Sequence, residues 1–347
     1  MIRVKFLSRL PASLWPHQFP HNDPQWGNCH FVFDPHEREY DWLVVYDDIP
    51  DTASATRKQA SEALACPPEH TLLVTTEPSS IKIYGTDYTQ QFSAVLTSQA
   101  EWALPHRQRI HSQPGLHWFY GVGNRHVTPF DEMTTLPERK TKMLSMVYSA
   151  KSMRHTLHHR RAALMRGLMQ RLPDMDVFGR GTAHPLEDKA DCLRDYRYHV
   201  ALENFIGEHH WTEKLADAFI GETLPFYAGC PNAAAYFPAQ SFIAIDLRDV
   251  DGAVHTILQA IANNEYEKRL PAIREARRRV LYEYNLFAVL AREIEARHNA
   301  AARPVPGMQL LSRRALRASS VAVALRDLYG KLRGRLLSLP EVIGGRS

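Results

Sequence analysis

The sequence predicts an α/β protein made of two doubly wound domains, and three observations carry that reading. Short apolar runs alternate with helix-like segments along most of the chain. The alternation pauses over a polar stretch from Gly123 to Lys140, which holds Pro129 and Pro137, and then restarts. The 347 residues exceed one typical core and suit two domains of roughly 150 residues each. Strands buried on both faces read as continuous apolar runs, and strands alternating with helices build a parallel sheet covered on both sides. The expected architecture is two Rossmann-like domains facing a central cleft, with a helical tail. The boundaries fall at 1–135, 136–302 and 303–347.

Each element follows from its own pattern. EYDWLVVYDDIP holds a short apolar run that ends in acids, as a buried parallel strand does. Thr52 to Ala65 reads as a helix closed by Pro67 and Pro68. HTLLVTTEP is a strand ending at Glu77, QFSAVLTSQ is another, and aromatic HWFYG stops at Gly121. Beyond the linker, KMLSMVYSA is a strand and His155 to Leu172 a basic helix. DMDVFGRG is a strand running into a glycine turn, LEDKADCLRDY a helix and RYHVALEN a strand. TEKLADAFIG is a helix and LPFYAG a strand, while Val254–Asn264 and Lys268–Asn299 are helical.

Composition excludes several functions. Hydrophobic residues at 44% and charged residues at 23% describe a globular chain. A net charge of +4 is too mild to indicate nucleic acid, and the Arg-rich run 274–279 reads as a solvated helix face. Cys29, Cys66, Cys192 and Cys230 lack CxxC spacing and read as reduced thiols. No metal site is expected. Asp47, Asp48 and Asp51 end a strand and cap a helix, and the adjacent pairs His158–His159 and His209–His210 diverge.

MIRVKFLSRLPASLWP is broken by Arg3, Lys5 and Arg9 and reads as too short and interrupted for a secretory signal or a membrane span. No uninterrupted apolar run of about 18 residues occurs, so the expected location is the cytoplasm or a membrane surface facing it. Residues 303–347 carry nine Lys/Arg against two acids, interleaved with leucines and valines. That pattern fits either a basic amphipathic helix on anionic lipid or a terminal helix packed on its own domain.

The stretch ENFIGEHHWTEKLADAFIGETLPFYAG carries the chemistry. Thr212 is a good N-cap, Leu215, Ala218 and Phe219 fall on one face, and Gly221 closes the helix. Glu213 and Lys214 therefore occupy the first turn, where free N–H groups and the helix dipole favour an anion. Lys214 adds positive charge, and Glu213 can accept from sugar hydroxyls. The strand RYHVALEN ends in Glu203 and Asn204 at the carboxyl edge, where open α/β sheets bind ligands. Arg154, Arg160 and Arg161 lie near another strand-to-helix junction, and Gly179, Arg180 and Gly181 at a further strand end.

DVFGRG, EDKADCLRDYRYHVALEN, WTEKLADAF, LPFYAGCPN and YFPAQSFI together resemble the donor-binding domain of the α1,3/4-fucosyltransferase family. LLVTTEPSSIKIYG, VLTSQ and HSQPGLHWFYG resemble a bacterial branch of it, so the likeness spans roughly residues 40–285. The resemblance implies a GT-B fold, GDP-fucose as donor, inversion at the anomeric carbon and no required cofactor. It places Lys214 and Arg160 at the diphosphate, with Arg161 and Arg154 as alternatives to Arg160. It places Glu213 and Asn204 at the ribose or sugar hydroxyls and His210 beside the donor, where the family usually has an aromatic residue. Phe205 also replaces a small polar residue. Glu77 matches the family's EP position and is the candidate base. Trp118, Phe119 and Arg125 are acceptor-side candidates. The implied partners are a nucleotide sugar and a glycan, as in surface polysaccharide or lipopolysaccharide synthesis, with peripheral membrane contact through 303–347. A different donor, or a non-catalytic sugar-nucleotide or glycan-binding protein, are the alternatives.

Overall fold

The structure, a computed structural model, describes residues 1–51, 59–113, 117–124, 126–135, 139–148 and 158–343. Contacts divide the chain into two compact units, Met1–Gly115 with Leu286–Ser347, and Leu116–Asn285. Each contains a largely parallel sheet, as the alternation of apolar runs and helices predicts.

The first unit opens with β1 (Ile2–Ser8), β2 (Gln25–Trp26), β3 (Cys29–Val32), β4 (Trp42–Tyr46), β5 (Ser61–Ala63) and β6 (Thr71–Val74). A short helix α1 (Thr86–Thr89), β7 (Ala94–Thr97) and β8 (Arg109–His111) follow. The sheet order is β2-β3-β1-β4-β6-β7-β8, and every pair but β2–β3 is parallel. Val4, Val44, Leu72 and Leu96 pack on one face, and Leu7, Val45, Leu73 and Val95 on the other. Both faces being dry, the strands are apolar without alternation.

β1 is an element that the charge pattern concealed. Lys5, which seems to break the apolar run, is buried, and its ammonium donates to Glu62 Oε1 at 2.7 Å and to the Glu37 carbonyl at 3.0 Å. Burial lowers the Lys5 pKa and the Glu62 bond opposes that shift.

The second unit contains α2 (Phe130–Met133), β9 (Lys142–Val147), α3 (His158–Arg171), β10 (Asp176–Phe178) and β11 (Tyr196–Leu202). Then come α4 (Glu213–Ile220), β12 (Leu224–Ala228), β13 (Ile243–Ala244), α5 (Val250–Ala262) and α6 (Glu265–Arg278). The sheet is wholly parallel, ordered β10-β9-β11-β12-β13. Pro225 fits this central strand because β13 pairs only with Phe226 and Tyr227. Gly179 turns the chain after β10 at φ 133°, where a Cβ would meet the Tyr148 carbonyl oxygen at 2.3 Å.

The chain then returns to the first unit through α7 (Leu286–Arg297), β14 (Gln309–Leu311), α8 (Arg313–Ser319) and α9 (Val321–Ile343). Several expectations change here. The division falls at 115 and 285, not at 135 and 302, because Leu286, Phe287, Val289, Leu290 and Ile294 of α7 cover one face of the first sheet. The helix expected over Lys268–Asn299 is accordingly broken by a π turn, Arg279–Glu283. Of the helix expected over Thr52–Ala65, residues 52–58 lie outside the described residues. Ser61–Ala63 is a strand, which pairs antiparallel with β14 and turns Glu62 toward Lys5. LEDKADCLRDY forms only a 3-10 turn, Lys189–Cys192, capped by Asp188. HWFYG forms no strand.

Arg326 ties the tail to Asp87 at 2.8 Å, and within the tail buried Asp327 takes Arg317 at 3.1 Å and Lys331 at 2.5 Å. Val321, Leu325, Leu328, Leu332 and Leu336 of α9 stay exposed on one side. No described helix is long and apolar enough to cross a membrane.

Replacing Lys5 by Met leaves the Glu62 carboxylate buried with Arg38, 60% exposed, and the Tyr40 hydroxyl beside it. The expected loss is about 3 kcal/mol, read as a lower thermal midpoint, with most of it restored by adding Glu62→Leu. A single variant as stable as the parent would show that the pair is dispensable.

Candidate functional site

The second unit's site is assembled at the carboxyl end of β11. Glu203 follows that strand and is wholly buried. Its Oε1 accepts from the Thr212 backbone N–H at 2.8 Å and its Oε2 from the Thr212 hydroxyl at 2.6 Å. The carboxylate thereby fixes the residue that starts α4. Thr212 in turn caps the helix by accepting from the Lys214 N–H at 3.4 Å, so the predicted cap is present. Gly229, after β12, leaves room for this carboxylate: a Cβ there would meet Glu203 Cγ at 2.4 Å.

Glu213 and Lys214 occupy the first turn of α4 as the sequence predicts. The Lys214 ammonium lies 2.7 Å from Glu213 Oε1, 3.1 Å from the Thr212 hydroxyl and 3.5 Å from Glu203 Oε2. Burial opposes the Lys214 charge, but the two carboxylates raise its pKa above the usual lysine range. Burial likewise opposes the Glu213 charge, and Lys214 brings that carboxyl down to about 2. Burial raises the Glu203 carboxyl, with Lys214 and Thr212 pulling the other way.

A cavity of 390 Å³ opens beside this turn, lined by Phe119, Arg161, Lys189, His199, Asn204, Glu213 and Lys214 with apolar neighbours. Arg161 is buried and donates to the Asn204 side-chain oxygen. Of the two described arginines, Arg161 lines the cavity. Arg160, its neighbour on α3, does not line the cavity, because consecutive helical residues face different directions. Arg154 lies outside the described residues. Arg180 is exposed and is not among the lining residues. Three cations, Arg161, Lys189 and Lys214, meet two acids, Glu203 and Glu213, which suits a polyanion bearing hydroxyls.

Other expected site residues stand elsewhere. His210 is buried, edge-on to Phe205 at 5.2 Å, and does not line the cavity. Burial brings its pKa down to about 3, so the ring is neutral near pH 7. Trp118 is buried and packs on Phe130, leaving no face for a sugar. Phe119 is 39% exposed and belongs to this cavity. It is held there by Asp217 of α4, whose Oδ1 accepts from the backbone N–H groups of Phe119 and Tyr120 at 2.9 and 3.0 Å. Burial pushes the Asp217 carboxyl up to about 7. Arg125 lies outside the described residues.

Glu77 is exposed in the first unit, in the loop after β6, and Gln99 donates to its carbonyl at 2.8 Å. The loop is anchored by Asp47, which adopts a left-handed φ of 71°. Asp47 accepts from Thr76 at 3.0 Å, Lys82 at 2.5 Å and Tyr84 at 2.5 Å. Burial works against this carboxylate, and those partners lower its pKa. Among the described residues no cluster of three or more His, Cys, Asp or Glu is arranged to hold a metal. All four cysteines are free and buried.

Sequence reasoning missed Lys189 and His199. Lys189 comes from the segment taken for a helix, and His199 looks like an ordinary residue inside a strand. Strand alternation held one signal: residues 199 and 201 share a face of β11, and Glu203 follows in the same alternation.

Residues 137–269 match the model of glycosyltransferase family 10 (fucosyltransferase), C-terminal part. The alpha-(1,3)-fucosyltransferase FucT of Helicobacter pylori is 32% identical over 92 residues, covering 24% of this chain and 19% of that protein. The present chain thus spans only 19% of that relative's length in the match. A crystal structure of an α1,3-fucosyltransferase with GDP-fucose is similar at 16% identity and a TM-score of 0.48, covering 88% of this chain and 92% of that one. A further α1,3-fucosyltransferase crystal structure gives 16% and 0.46, covering 82% and 91%.

The folded unit holds His199 and His210 neutral down to about 3, whereas an ordinary histidine takes its proton near 6.5. The unfolded chain therefore binds more protons in that window, and stability present above 6.5 is lost as pH falls through it. The melting temperature should fall as pH drops from about 7 toward about 4. His210→Phe should make that fall shallower; an unchanged slope would mean His210 is not held neutral.

Proposed function

We propose that this chain, whose residues 137–269 match the glycosyltransferase family 10 model, moves fucose from GDP-fucose to a hydroxyl of a glycan acceptor with inversion. The observation that carries the reading is the lysine–glutamate turn beside a cation-rich cavity, inside the segment that matches the family. The FucT relative's name supports an α1,3 linkage, and surface polysaccharide or lipopolysaccharide synthesis is the proposed setting.

The chemistry follows from charge. Lys214 and Arg161 meet the diphosphate, and Lys214 exchanges part of its bond with Glu213 for phosphate oxygens. Glu213, so released, accepts from hydroxyls of the ribose or sugar, with Asn204 adding polar contacts. As the glycosidic carbon–oxygen bond breaks, negative charge grows on the leaving diphosphate, and cations fixed beforehand stabilise it. The sugar passes through an oxocarbenium-like centre while Glu77 takes the acceptor proton. No metal or cofactor is required by this scheme, since the cations neutralise the leaving group.

Lys214→Ala should weaken GDP binding and cut turnover by roughly 30- to 1,000-fold. Glu77→Gln should abolish transfer while leaving GDP affinity near its parent value. Both are read by calorimetry and a donor panel of GDP-fucose, GDP-mannose and UDP-sugars. Parent-level turnover in either variant contradicts its role. Product from another donor, or binding without turnover, points to the alternative readings.

We also propose that the tail lies on the cytoplasmic membrane's anionic inner surface. Exposed Val321, Leu325, Leu328, Leu332 and Leu336 form an apolar stripe on α9, with Arg333 exposed on the same helix and Arg314 exposed on α8. Vesicles containing phosphatidylglycerol should co-sediment the protein, phosphatidylcholine vesicles should not, and Leu325→Ser with Leu332→Ser should reduce the binding. Equal binding by the double variant would remove the stripe from the interaction.

A further inference from the structure

His199 is a buried titratable group that the proposed chemistry leaves unused. It stands on β11 opposite Ser145 of β9 and is 5% exposed. Its Nδ1 lies 2.8 Å from the Ser145 hydroxyl oxygen. A hydroxyl has one proton to give, and the Cys192 carbonyl oxygen is 2.5 Å from Ser145 Oγ. If that proton turned to the ring, two oxygens would face each other at this distance with no hydrogen between them. Ser145 therefore donates to Cys192 and accepts from His199, so Nδ1 carries the ring proton. Burial brings the His199 pKa down to about 3, so the ring is neutral near pH 7 and its Nε2 is a bare lone pair.

Among the described residues nothing hydrogen-bonds Nε2, and His199 lines the same cavity as Arg161, Asn204 and Lys214. It lies four residues before Glu203, roughly 13 Å down the strand at about 3.3 Å per residue. A nucleotide whose diphosphate meets Lys214 and Arg161 extends its base over a comparable span. A bare acceptor at that depth suits a base edge that carries an N–H.

We propose that His199 Nε2 accepts a hydrogen bond from the ring N–H of the donor's guanine base, which makes His199 a specificity residue of the nucleotide site. This rests on the nucleotide-sugar reading above. Guanine presents N1–H toward such an acceptor. Adenine presents a bare N1, so two lone pairs would meet and the site would be left unpaired. The discrimination is against adenine alone, since uracil also carries a ring N–H.

The test combines calorimetry with NMR of protein labelled with 15N-histidine. In the free protein, Nδ1 of His199 should be protonated and Nε2 bare. Adding GDP should shift the Nε2 resonance, and adding inorganic pyrophosphate or ADP should not. His199→Leu should weaken GDP binding about tenfold, the scale of one buried N–H left unpaired, while pyrophosphate binding stays the same. His199→Asn, which keeps an acceptor, should recover part of the loss. GDP binding with an unmoved Nε2 overturns this proposal alone. Equal weakening of GDP and pyrophosphate by His199→Leu also overturns it, since that is the mark of a structural role. Failure of the parent protein to bind GDP overturns it together with the nucleotide-sugar reading. If His199→Leu does not fold, the NMR of the parent protein decides.

Discussion

Glu203 is a carboxylate sealed from solvent at the end of β11, and the cavity-lining first turn of α4 depends on it. A buried charge is costly unless it is paired and hydrogen-bonded. Here both oxygens are committed to Thr212, and Lys214 stands 3.5 Å away. The strand end, the helix cap and the cation are thus locked into one arrangement. Moving any of them would leave an unsatisfied charge in a dry place. The first turn of α4 is held ready before any ligand arrives, which is the condition for electrostatic stabilisation without reorganisation.

The same helix works a second way. Glu213 and Lys214 lie at its start, and Asp217, one turn on, holds the backbone of Phe119 and Tyr120. One short element therefore sets both the charged wall and an aromatic rim of the cavity. Its buried face, with Leu215, Ala218 and Phe219, keeps that geometry on the sheet. The sheet in turn tolerates polar residues on the face that carries Ser145, His199 and Glu203 because each finds a specific partner.

In the first unit a different constraint governs. Its sheet is covered on both faces, and one cover, α7, comes from more than 170 residues beyond the last strand of that sheet. The loop carrying Glu77 is tied down by Asp47, whose left-handed backbone is held by Lys82, Tyr84 and Thr76. Arg313 of the tail donates to the Tyr84 carbonyl at 3.2 Å, so the C-terminal segment joins that anchorage.

Local chemistry determined a good part of this protein by sequence alone. Continuous apolar runs at Trp42–Tyr46, Thr71–Val74, Ala94–Thr97 and Tyr196–Leu202 specified parallel strands, because burial on both faces leaves no room for alternation. Thr212 and Gly221 specified a helix and placed Glu213 and Lys214 in its first turn. Tertiary structure decided what depends on distant partners. Lys5 reads as a break in an apolar run until Glu62 neutralises it in the core, and Ser61–Ala63 becomes a strand only when Gln309–Leu311 lies beside it. Arg160 and Arg161 are equivalent in sequence, and the facing of α3 alone separates them. His210 loses its expected role to burial, and His199 gains its place from the hydroxyl of Ser145 and the carbonyl of Cys192, two groups that no local pattern brings together.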